Sequence, residues 1–381
     1  MPDYILYDVT LSLLTPMHIG TGRDLLHRYD YAIHDGRTWR INEDALLEAQ
    51  DLDDPHMARQ LALTPPADLL TPDDYQEDSA LFRYVMQGTP RSRAEGAQLK
   101  EQIKDPYDRP YLPGSSLKGA LRTAIAWYAW GESDIQPHPK DLLNRWGKLE
   151  SRKFVGLTYE RKLLGKNPNH DLLRALQVSD SAPLDARALM VLNARVLNRG
   201  GEMEGAPIEM EAIRPDSMFQ MTLKLDLAIF SDWARQGGLN LRGQEWLLHL
   251  GDVVQAHSND RIQRELNWFN GMRGTERVAG FYQRLAKASG GLGGHRFLIE
   301  LGWGTGWESK TFGSRLEEDA DFLERIINEY RLARGHREPG DPFPKSRRVA
   351  VTFRRTPNGD LLETPATPLG WALVEMKERK P

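Results

Sequence analysis

Tyr111-Leu112-Pro113-Gly114-Ser115-Ser116-Leu117-Lys118-Gly119-Ala120-Leu121-Arg122-Thr123-Ala124 runs from a small, donor-rich loop straight into a helical pattern. Leu117, Ala120, Leu121, Ala124, Ile125 and Tyr128 recur at helical spacing, which predicts an amphipathic helix over Leu117–Trp130 with one apolar stripe. A helix start presents unpaired backbone N–H groups and a partial positive charge, and so suits an anion such as phosphate. Ser115 and Ser116 are expected to cap this helix, and Lys118 and Arg122 lie one turn apart on another side of it. The same residues also describe an ordinary capped helix, so the surrounding elements have to decide between the two.

Upstream, Ile5, Tyr7, Val9, Leu11 and Leu13 alternate with mostly polar neighbours, which predicts a strand buried on one face. It ends in Thr15-Pro16-Met17-His18-Ile19-Gly20-Thr21-Gly22-Arg23, a glycine-punctuated turn. A hairpin is expected around Asp35-Gly36, then a helical, acidic, proline-interrupted stretch to about Arg93. A basic region, helical or irregular, runs to about Asn169. Strands are predicted at 176–180 and 188–197. The clearest is Met218–Phe230, where Phe219, Met221, Leu223, Leu225, Leu227 and Ile229 face one way. A helix near 244–255, a glycine loop at Ser289–Arg296 and a strand at Phe297–Leu301 follow. The tail adds Gly302-Trp303-Gly304-Thr305-Gly306-Trp307, a helix carrying Phe322, Leu323, Ile326, Ile327 and Tyr330, and strands near 348–354 and 370–376. The strong elements run strand, helix, strand, strand, helix, strand. That order predicts an α+β fold with a ferredoxin-like or RNA-recognition-type βαββαβ core, interrupted by long insertions.

With 381 residues, the chain suits one elaborated domain or two compact ones. Zero cysteines exclude disulfides, cysteine-ligated zinc, Fe–S clusters and thiol catalysis together. No stretch approaches a membrane span, and Met1–Leu14 lacks the basic-then-apolar pattern of a signal peptide, so a cytoplasmic location is expected. The net charge of −4 conceals segregation. Asn42–Asp78 holds eleven acidic residues against one basic, whereas Arg145–Lys166 holds seven basic against two acidic. Such runs can be solvated faces; kept apart in a near-neutral chain, they also fit one polyanion-binding face and other faces for protein neighbours.

Neither glycine-rich loop has nucleotide-binding spacing: Gly114–Gly119 lacks the P-loop pattern, and Gly302–Gly306 the dinucleotide fingerprint. Histidines are scattered, with no H-x-x-x-H pair and no G-x-S-x-G elbow. Asp53-Asp54 and Asp73-Asp74 read as helix caps or solvent-facing pairs, and no metal or cofactor is expected. His18, beside Gly20, Gly22 and Arg23, reads as a turn histidine, an RNA contact, or a general base for cleavage by a ribose 2′-hydroxyl. Gly293-Gly294-His295-Arg296 suggests close backbone approach. Trp303 and Trp307 fit either a core or a base-stacking platform, and Lys310 could reach a phosphate.

Three of these segments together resemble the RAMP superfamily of CRISPR proteins: Leu14–Gly22, Leu112–Arg122, and the late glycine-rich loop leading into Leu301–Trp307. The Gly-Trp-Gly-Thr-Gly-Trp-x-Ser-Lys run within Leu301–Lys310, and Pro368-Leu369-Gly370-Trp371, are similar to the subunit-five family of type III-A (Csm) effector complexes rather than to the repeated backbone subunit. The resemblance implies an antiviral ribonucleoprotein in which such a subunit binds the 3′ region of the crRNA, caps the backbone filament and is associated with crRNA 3′-end maturation. It implies a non-catalytic subunit without cofactors. Its partners would be crRNA, target RNA through a thumb hairpin, neighbouring Csm backbone and small subunits, and a host trimming nuclease.

Carried over by the same resemblance, RNA-binding residues would be His18, Gly20, Gly22, Arg23, Ser115, Ser116, Lys118, Arg122, Gly293, Gly294, Arg296 and Lys310. The thumb would span about 188–216, with Arg199 and Met203 at its tip. A RAMP core over residues 1–310 would carry a helical insertion at about 42–105. Residues 311–381 would be a C-terminal extension, either completing that domain or forming part of a second ferredoxin-like unit. Two other readings stay open: a metal-independent repeat endoribonuclease using His18, and a protein-only scaffold.

Overall fold

In the computed structural model the described residues are 3–50, 61, 63–333, 337, 338, 340–358 and 360–380; Asp53 and Asp54 lie outside them. Strands β1 (Tyr4–Leu13), β2 (Gly20–Leu26), β3 (Tyr31–His34), β4 (Arg37–Ile41), β5 (Phe82–Gln87) and β6 (Gln98–Gln102) precede helix α1 (Gly114–Gly131). Helix α2 (Leu157–Leu164) and β7 (Leu176–Val178) lead to the hairpin β8 (Leu189–Asn198) and β9 (Met203–Ile213), then β10 (Met218–Asp226). Helices α3 (Leu250–Phe269) and α4 (Glu276–Ser289) follow, then β11 (Arg296–Glu300), α5 (Gly306–Lys310) and α6 (Ala320–Glu329). Strands β12 (Ser346–Arg355), β13 (Leu361–Thr367) and β14 (Trp371–Glu378) close the chain.

The first sheet has the order β11-β14-β1-β10-β7, antiparallel throughout. Leu11 stands opposite Phe219 on β10 and Val374 on β14, and Val9 opposite Met221 and Met376. All six are buried. These cross-strand rows are the period-two faces legible in the sequence. Helices α1 and α3 pack on each other, α1 against β7 and α3 against β11, so Leu117, Leu121 and Ile125 share one core with Val9, Leu11 and Phe219. Each such side chain contributes about 1.5–3 kcal/mol on burial, which makes this face the main source of stability.

The core is ferredoxin-like, with β14 in the position beside β1 and β11 one place further out. Trp371 accounts for that placement. It is fully buried, its N–H donates to Thr15 Oγ1 at 2.8 Å, and its carbonyl accepts the Leu14 N–H at 2.8 Å, which stitches the start of β14 to the end of β1.

The second sheet runs β2-β6-β9-β8-β5-β4-β3, with β12 paired to both β8 and β13. The acidic stretch expected to stay helical to Arg93 instead contains β5. Phe82, Tyr84 and Met86 are buried while Arg83 and Gln87 are exposed, a period of two that overrides the helical reading. Asp74 accepts the Thr71 backbone N–H at 2.7 Å, so one of the paired aspartates is a cap. The helix expected near 244–255 is a short turn, Gln244–Leu248, broken at His249, followed by the longer α3. Its full length was hidden because the buried side of α3 carries polar residues, including Gln255, Ser258, Arg261 and Glu265. Among the described residues no helix is long and apolar enough to cross a membrane.

Candidate functional site

The turn after β1 is threaded between the two sheets. The Pro16 carbonyl accepts the Gly370 N–H at 2.9 Å, Met17 pairs with Ile213 on β9, and the His18 carbonyl accepts the Trp303 N–H at 2.7 Å. Gly302 makes the last contact possible. Its φ is +83°, and a Cβ there would lie 2.7 Å from the His18 carbonyl oxygen. Two distant segments, Thr15–Gly20 and Gly302–Trp307, are thereby locked face to face.

His18 is almost fully buried, and its Nδ1 lies 2.6 Å from the Glu211 carbonyl. A carbonyl only accepts, so Nδ1 carries the proton and Nε2 is left as an acceptor. Burial pushes the imidazole down to about 4; the Glu211 carbonyl opposes this, and Lys100 and Lys104 add to it. At neutral pH the ring is uncharged. Glu211 is itself buried, accepting Tyr84 Oη at 2.7 Å and the Gln102 N–H at 2.9 Å, with Lys104 as its ion partner. This carboxylate, invisible in the sequence as a lone acid in a strand, fixes the backbone that orients His18.

Helix α1 begins at Gly114, one residue before the expected serine caps. Its first N–H donates to Asp180 Oδ1 at 2.7 Å, and Ser115 and Ser116 sit inside the first turn. Gly114 is required there because a Cβ would fall 2.4 Å from the Val178 carbonyl and 2.5 Å from that of Ser179. The cap is therefore a carboxylate from the strand end, and the serines present their side chains to the neighbouring cleft.

That cleft, about 690 Å³, is lined by His18, Gly20, Ser115, Ser116, Trp303 and Lys310, among others. Trp303 stands edge-to-face with His18, ring centroids 6.5 Å apart, and the Arg348 guanidinium lies 5.0 Å over its ring. Lys310 is pulled below the usual lysine range by desolvation, with Glu300 opposing the shift. Arg348, which sequence reasoning missed, enters from β12, a strand with no motif of its own. Gly304, Gly306, Trp307, Glu300 and Arg348 also line a second cavity of about 910 Å³ that reaches Arg199 and Arg152, so the two form one groove.

Beneath it lies a buried ionic network. Arg261 is bonded to Glu265 at 2.8 Å and Ser309 Oγ at 2.9 Å and is paired with Glu308; Arg347 Nε reaches Glu265 at 2.7 Å. Burial pushes the Glu300 carboxyl up to about 7, against the pull of Arg261 and the Ser309 hydroxyl. The other charges are paired closely, Glu300 standing 3.8 Å from Arg261, and removing one partner of such a set costs about 3–5 kcal/mol. Among the described residues no group of three or more His, Asp or Glu is placed to hold a metal ion.

Other expected site residues lie elsewhere. Arg122 is held by Asp171 at 2.8 Å and Glu160 at 3.1 Å, and Lys118 is half-buried one turn earlier, both off the residues of α1 that line the cleft. Gly22 and Arg23 continue along exposed β2, with Arg23 3.9 Å from Glu101. Gly293 and Gly294 lie against the start of α3, where the Gly294 N–H donates to Asp252 Oδ1 at 2.7 Å, whereas Arg296 opens β11 and pairs with Glu375 of β14 at 2.7 Å. Arg199 is at the hairpin tip and lines the larger cavity, whereas Met203 packs against the cluster of Leu197, Ile262 and Trp268.

A model of the RAMP superfamily matches residues 10–309. The CRISPR system Cms protein Csm5 of Mycobacterium tuberculosis is 26% identical over 231 residues, covering 58% of this chain and 54% of that protein. Csm5 of Streptococcus thermophilus is 27% identical over 150 residues, 36% of this chain and 38% of its own. The chain spans about half the length of the curated relative from M. tuberculosis. Among solved structures, a chain of a type III-A Csm-crRNA-target RNA ternary complex superposes with a TM-score of 0.66 at 23% identity, covering 97% of this chain and 100% of its own. The T. onnurineus Csm5 crystal structure gives 0.63 at 24%, covering 95% and 99%.

Proposed function

The chain belongs to the RAMP superfamily, and from that premise we propose that it is a crRNA-binding structural subunit of a type III-A CRISPR–Csm ribonucleoprotein, capping the backbone filament at the crRNA 3′ region and associated with 3′-end maturation. The observation that carries this reading is the convergence of three segments, around His18, Ser115 and Trp303, on one cleft. Their chemistry suits a single RNA strand. Trp303 under Arg348 offers a base platform next to a cation, Lys310 and the two serines offer phosphate contacts, and His18 Nε2 offers an acceptor for a 2′-hydroxyl donor. None of these contacts reads a base edge, as a guide of any sequence requires.

The subunit acts by holding RNA. A histidine pushed down to about 4 is a weak general base at neutral pH, which favours positioning over cleavage. Neighbouring Csm subunits, target RNA at the β8–β9 hairpin and a host trimming nuclease are the partners this role calls for.

Replacing Trp303 and Arg348 together by Ala in the full chain is expected to lower affinity for single-stranded RNA at least about tenfold, equally for unrelated sequences. Fluorescence anisotropy at fixed salt checks it. A change under twofold, or one confined to a particular sequence, would overturn the assignment of the cleft.

A further inference from the structure

The basic run at Arg145–Lys166 takes no part in the cleft described above, except where Arg152 meets the larger cavity. We propose that the loop Leu143–Phe154, which contains the start of this run, is a second contact for single-stranded RNA, with Trp146 as a stacking platform for a nucleobase leaving the groove. The proposal rests on the reading of the cleft as an RNA site.

This loop holds four basic residues, Arg145, Lys148, Arg152 and Lys153, and one acidic residue, Glu150. Trp146 is 68% exposed and Phe154 46%. Each ring carries a cation: the Arg145 guanidinium lies 4.1 Å from the Trp146 centroid, and Lys153 Nζ lies 5.4 Å from that of Phe154. An indole so exposed contributes little to the core, and folding alone would favour a polar residue there. Interleaved rings and cations are what a sequence-tolerant single-strand site uses, bases stacking on the rings while the cations follow the phosphates.

The turn is also pre-set. The Asn144 N–H donates to the Lys148 carbonyl at 2.7 Å, and Asn144 Oδ1 accepts the N–H groups of Trp146 at 3.0 Å and Lys148 at 3.2 Å. The Glu150 N–H donates at 2.7 Å to the carbonyl of Leu142, a buried residue of the main core. The ring is thus presented on a short rigid turn, and little ordering entropy is lost when a base stacks on it.

Position decides for RNA over an acidic protein. Arg152 lines the larger cavity together with Arg199 and Arg348, and Arg348 also covers Trp303. At Arg152 the loop thereby joins the lining of the groove, where Glu265, Glu300 and Glu308 are matched by Arg261 and Arg347.

The test compares Trp146→Ala, Trp146→Phe and Trp303→Ala in the full chain, with labelled oligouridylates of about 8 nucleotides, within the span of one single-strand site, and of about 30. Trp146→Ala is expected to weaken binding of the longer RNA about tenfold and that of the shorter one less than twofold. Trp146→Phe, which keeps a ring, should recover most of the loss, and Trp303→Ala should weaken both lengths. If Trp146→Ala leaves the longer RNA unaffected while Trp303→Ala weakens it, the loop is no RNA contact and the cleft assignment stands. If neither variant changes binding, both readings fall. If RNA binding holds but Trp146→Ala releases another subunit from the reconstituted complex, the loop is a protein contact and the proposal is wrong.

Discussion

Helix α1 has two polar sides that differ in kind. Ser115, Ser116, Gly119 and Thr123 are small and line the cleft, where Trp303, Lys310 and Arg348 meet them. Lys118 and Arg122 carry the charge, yet Arg122 is tied to Asp171 and Glu160, and Lys118 is half-buried beside it with Asp171 as its favourable charge neighbour. By sequence the second side looks more like a phosphate site; by geometry the first does. A cation whose charge is already matched by carboxylates offers little to a polyanion, because those pairs must first be broken. Small side chains at a helix start let a backbone come close, and Lys310 and Arg348 from other elements line the same cleft.

The most damaging way to break the contrast is to fill the cleft side. Gly302→Val adds a β-branched side chain at positive φ, 2.7 Å from the His18 carbonyl, and should cost at least about 2 kcal/mol and RNA affinity with it. Gly36, in the β3–β4 turn and outside both cavities, has φ +70° and an open Cβ position. Gly36→Ala should therefore cost about 1 kcal/mol from the backbone alone and leave affinity near the parent's. Chemical denaturation with anisotropy on the same samples separates the two. Equal losses in both variants would mean that the His18–Trp303 lock is not what shapes the cleft.

A smaller effect is expected on the charged side. Lys118→Ala with Arg122→Ala should lower stability by about 1 kcal/mol, from the lost bridges to α2 and Asp171, while RNA affinity stays within about twofold. A tenfold loss of affinity with an unchanged melting temperature would reverse the comparison and make the paired cations the binding side.

The comparison also marks what the sequence could reveal. Alternation in β1 and β10 and the stripe of α1 were legible because one face of each packs on a single core. The turns at His18 and Ser115 and the Gly302–Trp307 segment were legible as glycine-rich oddities, and their convergence followed from resemblance rather than from spacing. Three things left no local trace. The buried polar stripe of α3 disguised a twenty-residue helix as a shorter one. Insertion of β14 between β1 and β11 depends on contacts of Trp371 with residues at the far end of the chain. The matching of Arg122 depends on the tertiary placement of Asp171 and Glu160, which no local pattern announces.

The smallest and sharpest test lies under the cleft, at Glu300. Its carboxyl is pushed up to about 7 from an ordinary value of 4.5, so between those pH values the folded chain holds a proton that the unfolded chain has released. Its contribution to stability is present below about pH 4.5 and is lost as pH rises through 7. His18 and His257, pushed down to about 4 and about 3, act in the opposite sense: their contribution is present above about 6.5 and is lost on acidification. Glu300→Gln keeps an acceptor for Ser309 and removes only the alkaline loss. Its melting temperature relative to the parent should therefore rise by a few degrees, about 2–4 °C, between pH 5 and pH 8, while the acid limb set by the histidines stays unchanged. A flat difference would mean that Arg261 holds Glu300 ionised throughout. Glu300 would then be a fully matched ion like Arg122, and the floor of the cleft would resemble the paired side of α1.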